Sequence, residues 1–236
     1  MLAMLWKFNG WAKYPNFQHD AAVGEFIQKE VNRPGVYANG EGTHIVLEGG
    51  AIDVDGQGLL IATEECLVPM GKIQERNPGF CREDYESVFG KYLGATKTIW
   101  LAGGIEGDDT HGHIDDVARF IAPNHVVAAY TPHRSDPNYE VLKANLAALG
   151  RESVRVTEIP LPSPLYFKGK RLPASYCNFY VANGAVLVPT FNDLQDRAAL
   201  RILEKEFPTR EIIGIHAVDL VWGFGTIHCL TQQQPF

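Results

Sequence analysis

Ten consecutive residues, GDDTHGHIDD at positions 107 to 116, carry the densest run of chemically capable side chains: Asp108, Asp109, His111, His113, Asp115 and Asp116. Imidazoles and carboxylates at this spacing suit either metal ligation or acid–base work. In the second case His113 moves protons, and Asp115, two residues on and so on the same face of a strand, holds a cationic substrate. That chemistry needs a nucleophile from elsewhere. The C-terminal WGFGTIHCLTQQQPF supplies Cys229, set behind glycines that let backbone come close to a substrate. His228, next to it on an expected strand, points to the opposite face and reads as structural.

The metal alternative has a specific form. T-H-x-H-x-D resembles the start of the dinuclear zinc signature of metallo-β-lactamase-type hydrolases. That signature ends in a further His where this chain has Asp116, so later ligands would come from scattered histidines such as His125, His133 and His216. Other polar residues also have plain structural readings. Glu48, ahead of Gly49 and Gly50, suits a turn carboxylate. Asp109 with Thr110 suits a helix cap or Asx turn. Asn178 suits the pairing of buried backbone groups.

The elements that must position these groups repeat along the chain. Helical periodicity appears in DAAVGEFIQKEV, REDYESVFGKYL, NYEVLKANLAAL and DLQDRAALRILEKEF, with starts 62, 56 and 56 residues apart when the last is counted from Leu194. Between them lie short β-type runs joined by turns near Asp55, Pro123 and Asn183, 68 and 60 residues apart. The matching periods imply one α/β unit used repeatedly. Glu48, the His113/Asp115 pair and Asn178 stand just before successive turns, so in a closed ring they converge on a central channel, whereas a solenoid spreads them along a face. A doubly wound sheet fits less well, because hairpins replace the helical crossovers it needs.

Composition narrows the functions further. A chain of 236 residues, 45% apolar and 21% charged, can bury a full core. Its net charge of −7 argues against nucleic-acid or anionic-membrane partners. Four cysteines with no C-x-x-C pair suggest neither a disulfide framework nor a zinc ribbon and fit a reducing cytoplasm. The opening MLAMLWKFNGW is too short an apolar run for a signal sequence, and no run has transmembrane length.

Four motifs in order, LEGG (47–50), GDDTHGHIDD, ASYCNFYVANGAVLVP (174–189) and GFGTIHCLTQQQP (223–235), resemble those of the agmatine deiminase and Porphyromonas-type peptidylarginine deiminase family. The resemblance implies the pentein fold, a pseudo-symmetric α/β propeller of five units, with about four of them present here. It implies Cys229 as nucleophile, His113 as general acid and base, and Asp115 and Glu48 as carboxylates near a guanidinium, with Asp109 and Asn178 in the same pocket. The expected reaction converts a guanidinium to a ureido group plus ammonia through a covalent thiouronium, with no metal or organic cofactor. Agmatine is the favoured substrate, in polyamine synthesis; peptidylarginine and free arginine stay open, as do a zinc hydrolase and a catalytically silent binding paralogue. Departures from the family's pattern, at His111, Cys177 and the GFGT segment, bear on substrate choice more than on reaction type.

The family also carries, upstream of WKFNGW, a unit with an R-D-x-G-P motif whose aspartate binds the guanidinium. Nothing in the chain matches it. Residues 1–236 therefore read as a single deiminase domain lacking its N-terminal unit and inactive or nearly so. Exposed strand edges, or an apolar flank near residues 1 to 17, would then favour self-association.

Overall fold

The protein is described from a computed structural model covering residues 2–39, 44–68 and 73–234. The last residue of the C-terminal motif, Pro235, lies outside the described residues. Three times, an antiparallel hairpin is followed by a helix and then a strand that returns parallel to the hairpin's second strand. The first such unit comprises β3 (Ile52–Val54), β4 (Leu59–Thr63), α4 (Arg82–Leu93) and β5 (Lys97–Leu101), with a short α3 (Glu64–Leu67) after β4. In the second, β6 (Ala118–Ala122), β7 (His125–Tyr130), α5 (Tyr139–Arg151) and β8 (Arg155–Pro160) repeat the order. The third comprises β11 (Tyr180–Val181), β12 (Ala185–Thr190), α6 (Asp196–Glu206) and β13 (Glu211–His216). A small hairpin, β9 (Tyr166–Phe167) and β10 (Lys170–Arg171), decorates the link before it.

A fourth unit precedes these: β1 (Ala3–Leu5), α1 (Gln18–Ala21), α2 (Val23–Glu30) and β2 (Gly35–Tyr37). Its strands pair in parallel, Ala3 with Gly35 through Leu5 with Tyr37, and among the described residues no antiparallel strand flanks them. Neither α1 nor α2 contains a buried residue, and Val23, Phe26 and Ile27 are exposed. The apolar exposure expected near residues 1 to 17 thus lies mainly on α2, with Leu2 and Tyr14 beside it.

Local chemistry explains the elements. In the first hairpin turn Asp55 Oδ1 accepts from Gln57 N at 2.7 Å and Leu59 N at 2.9 Å, an Asx turn that fixes the register. Asp84 caps α4 by accepting from Cys81 N at 2.8 Å, and Gly94 in the left-handed region ends it. The second strands of the hairpins are apolar on both faces because helices cover one and neighbouring units the other; in β7, His125 through Ala129 are all buried.

Neighbouring units are stitched at equivalent places. Helix α5 packs on β5 of the unit before it, and α6 packs on β8 in the same way. Near the middle, buried Arg119 at the start of β6 lies 3.4 Å from Asp53 of β3 and donates to the Phe179 carbonyl at 2.8 Å, so one guanidinium ties three units together. This radial stitching matches blades around an axis rather than a row of repeats.

Candidate active site

Cys229 lies in a 3₁₀ turn, His228–Leu230, and not on a strand. Its thiol donates toward Asp115 Oδ2 at 3.5 Å and accepts from Asn178 Nδ2 at 3.1 Å. Asn178 is fully buried and organises the whole segment. Its Oδ1 accepts from Thr226 Oγ1 at 2.8 Å, His228 N at 2.9 Å and Cys229 N at 3.4 Å, while Nδ2 also donates to Asp116 Oδ1 at 3.0 Å. Asn178 is therefore a brace beneath the thiol, which reconciles its backbone-pairing reading with its place beside the nucleophile. Gly225 is required by the same crowding: a Cβ there would lie 2.9 Å from the Cys229 Cβ.

The surroundings hold the sulfur protonated. Burial of the sulfur raises the Cys229 pKa far above the usual thiol range, the Asp115 and Asp116 charges add to it, and Asn178 opposes them more weakly. The residue as a whole still meets solvent, while its sulfur lies between Asn178 and the Asp115 carboxylate.

His113 caps the 3₁₀ turn Ile114–Asp116, in place of the strand expected for this segment. Asp108, not Asp109, builds the loop: its Oδ2 accepts from Gly112 N at 2.8 Å and His113 N at 2.9 Å, and its Oδ1 from Thr110 N at 2.8 Å. His113 Nε2 then lies 3.5 Å from Glu48 Oε2. Burial opposes charging of this ring, but the Glu48 contact and the Asp115 and Glu48 charges outweigh it and raise the His113 pKa. For Glu48, burial pushes upward, yet His113 and Arg76 prevail and lower it.

Arg76 is the partner that sequence reasoning missed. Its Nε donates to Glu48 Oε1 at 3.1 Å, Nη1 to the Gln74 carbonyl at 3.0 Å and Nη2 to the Thr110 carbonyl. Glu48 is thus a buried ion-pair carboxylate and not a turn residue. Nothing in QERNPGF distinguishes this arginine from a solvated one until the loop is folded onto Glu48. Cys66, at the end of the same hairpin unit, is fully buried beneath this group.

His228 is a correction to the strand argument. In the 3₁₀ turn it faces inward, and its Nδ1 lies 2.8 Å from Asp115 Oδ2. Burial alone would raise the Asp115 pKa; the hydrogen bond from His228 and the positive charge of His113 lower it instead. The other oxygen, Asp115 Oδ1, is buried and has no hydrogen-bond partner among the described residues. Gly50 makes room here, since a Cβ would come within 2.9 Å of Asp115 Oδ2.

Glu48, His113, Asp115 and Asn178, which stand before successive turns, are accordingly brought together, and Cys229 joins them from the C-terminal segment. Asp109 is not joined to them: its carboxylate is engaged by Lys13 and Tyr14 at the surface. His111 also departs, lying 3.4 Å from Glu65 with a left-handed φ of 66°. Among the described residues, no cluster of three ligating atoms includes His111 or Asp115, so THGHIDD does not assemble the dinuclear zinc arrangement.

The family model for Porphyromonas-type peptidyl-arginine deiminase matches residues 1–235. The chain belongs to this family. Within it, a candidate agmatine deiminase of Latilactobacillus sakei is 41% identical over 215 residues, covering 81% of this chain and 58% of the relative. The agmatine deiminase of Pseudomonas syringae pv. syringae is 36% identical over 260 residues, covering 98% of this chain and 68% of its own length. The solved agmatine deiminase of C. jejuni with substrate bound superposes with a TM-score of 0.87 at 30% identity, covering 96% of this chain and 66% of that one. The deiminase fold is therefore the pentein type. This chain spans about three fifths to two thirds of these relatives.

Proposed function

We propose that this deiminase-family chain carries the catalytic set for hydrolysis of a guanidinium to a ureido group plus ammonia. The observation that carries the reading is Asp115 Oδ1, a buried acceptor without a partner, on the carboxylate whose other oxygen lies 3.5 Å from the Cys229 sulfur. A planar guanidinium donating to Asp115 satisfies that acceptor and aims its carbon at sulfur, while Glu48, already paired with Arg76, adds negative charge beside His113. The cation also reverses the local field, so the proton leaves the thiol where the free site holds it.

Sulfur then adds to the guanidinium carbon, and the C–N bond to the departing nitrogen breaks as His113 delivers a proton, releasing ammonia. His113 next takes a proton from water, whose oxygen attacks the thiouronium carbon; as the C–S bond breaks, the hydroxyl proton of the intermediate returns to sulfur in place of the one first lost to solvent, and the ureido product leaves. No metal or organic cofactor enters these steps. The relatives named agmatine deiminase support agmatine, giving N-carbamoylputrescine on the way to polyamines, as the substrate. Peptidylarginine or arginine is the second reading, supported by the family's description.

A single catalytic domain working in a reducing cytoplasm fits four unpaired cysteines; no helix among the described residues is long and apolar enough to cross a membrane. Self-association through the exposed Val23, Phe26 and Ile27 face fits the apolar surface of α2. Full turnover is proposed to need the further carboxylate of the family's upstream R-D-x-G-P unit.

The test is ammonia release from agmatine, arginine and arginyl peptides by this chain, alone and joined to the upstream segment of a family member. Turnover of a guanidine by the joined protein supports the class, and none at all would sink it. Equal turnover without the segment would make its aspartate dispensable. Covalent labelling of Cys229 by a haloacetamidine reads the thiol and the amidinium pocket together.

A further inference from the structure

We propose that Glu48, Cys66 and His113 form a binding site for a thiophilic divalent cation of the Zn²⁺ type, distinct from the nucleophile, and that its occupancy withdraws His113 from proton transfer. One ligating atom from each of the three lies within 4.8 Å of the other two. Sulfur, imidazole and carboxylate are the donor types of three-ligand zinc sites that keep a fourth position open. Bonds of about 2.0–2.3 Å draw such donors to within roughly 3.5 Å of each other, so closure needs shifts on the order of 1 Å.

The second observation is His113 Nε2 itself. It is buried, turned toward Glu48, and without a hydrogen-bond partner among the described residues. A cation satisfies that nitrogen and draws Glu48 closer at the same time. The supporting contacts that such sites need are already in place. Arg76 Nε holds both Glu48 oxygens, at 3.1 and 3.3 Å, and Thr63 Oγ1 accepts from Cys66 N at 3.1 Å, so the Glu48 carboxylate and the Cys66 backbone are fixed in place. Binding displaces the Cys66 proton to solvent, after which thiolate and carboxylate together balance the charge of the ion, and the Arg76 charge limits the affinity. The cation is an inhibitor here and not a participant in the reaction.

The inhibitory consequence rests on the proposed deiminase reaction, but binding does not, so binding is measured first. Cobalt(II) is titrated into the full chain carrying Cys81→Ser, which removes the exposed thiol. The expected result is one ion per chain with a near-ultraviolet thiolate-to-cobalt absorption. The absorption persists in Cys229→Ser, and in Cys66→Ser it is lost with binding at least about tenfold weaker. An absorption that vanishes with Cys229→Ser and survives Cys66→Ser would overturn the proposal, as would its absence from every form. Should Cys66→Ser fail to fold, Glu48→Gln in the Cys229→Ser background decides: at least about tenfold weaker cobalt binding supports the site, and unchanged binding refutes it. Zn²⁺ inhibition of guanidine turnover should be relieved by Cys66→Ala. A chain that binds cobalt through Cys66 yet turns over no guanidine, even with the upstream segment, leaves the cation site standing and removes the deiminase reading.

Discussion

Asp115 and Cys229 lie 3.5 Å apart, carboxylate oxygen to sulfur, so the group proposed to hold the cationic substrate is also one that suppresses the thiolate in its absence. Replacing Asp115 by Asn should therefore move two readouts in opposite directions. Alkylation of Cys229 by neutral iodoacetamide at fixed pH should quicken, by up to about tenfold for each pKa unit released. Turnover of the proposed guanidine substrate should fall about 10- to 100-fold with the lost charge-assisted contact. Slower alkylation in Asp115→Asn, read by mass spectrometry, would mean that the carboxylate activates the thiol.

Asn178 reaches Cys229 from beneath, so its role is separable from substrate contact. Asn178→Ala leaves the buried Thr226 hydroxyl and the Asp116 carboxyl without this partner, at a cost of about 1–3 kcal/mol in urea unfolding. The thiol also loses its positioning donor, and kcat should drop more than KM rises. A rise in KM with kcat unchanged would make Asn178 a substrate-binding residue instead.

Asp116 sits behind this brace with its pKa raised, by burial first and then by the Asp115 charge. A carboxyl with a raised folded pKa binds more protons folded than unfolded, so its contribution falls as pH climbs from the ordinary carboxylate range toward the raised value. Asp116→Asn keeps an acceptor for Asn178 and removes that slope. It should raise the melting temperature at neutral pH by about 2–4 °C per kcal/mol recovered, and by less in acid. An equal shift at both pH values would show that charge is not the cause.

Glu48 and His113 define a pH window. The His113 contribution is complete below about pH 6.5 and is lost as pH rises through its raised pKa. That of Glu48 is complete above about pH 4.3 and is lost as pH falls through its lowered pKa. Denaturant midpoints of wild type and His113→Gln should therefore converge as pH rises past the first limit, and those of wild type and Glu48→Gln as pH falls past the second. Arg76→Met removes one partner of a buried pair and should destabilise by about 3–5 kcal/mol.

The repeat, its turns and the residues before them were legible because periodicity and turn chemistry are local. Glu48, His113, Asp115 and Asn178 could be grouped before any coordinates because each stands at the same place in its unit. What failed was local geometry: 3₁₀ turns at 114–116 and 228–230 stood where strands were expected, so alternation put His228 on the wrong face. Arg76 stayed hidden because its burial depends on a loop folding over Glu48 from 28 residues away. Asp109 and Asp108 carry the same side chain, and only the backbone of the loop decides which one points inward. The same loop holds His111 at a left-handed φ, a region that Asn, Asp and His enter more readily than other side chains.

The contacts of Asp115 with His228 and Cys229 span 113 and 114 residues of chain, whereas each hairpin closes over a few. Closing so long a loop is entropically slow, so the hairpin units should gain structure first and the nucleophile be seated last. On a ribosome, Asp115 is made 114 residues before Cys229. During unfolding the order reverses: the C-terminal turn should detach at denaturant concentrations that leave the sheets intact, and competence to react with an amidinium reagent should vanish before the circular dichroism changes.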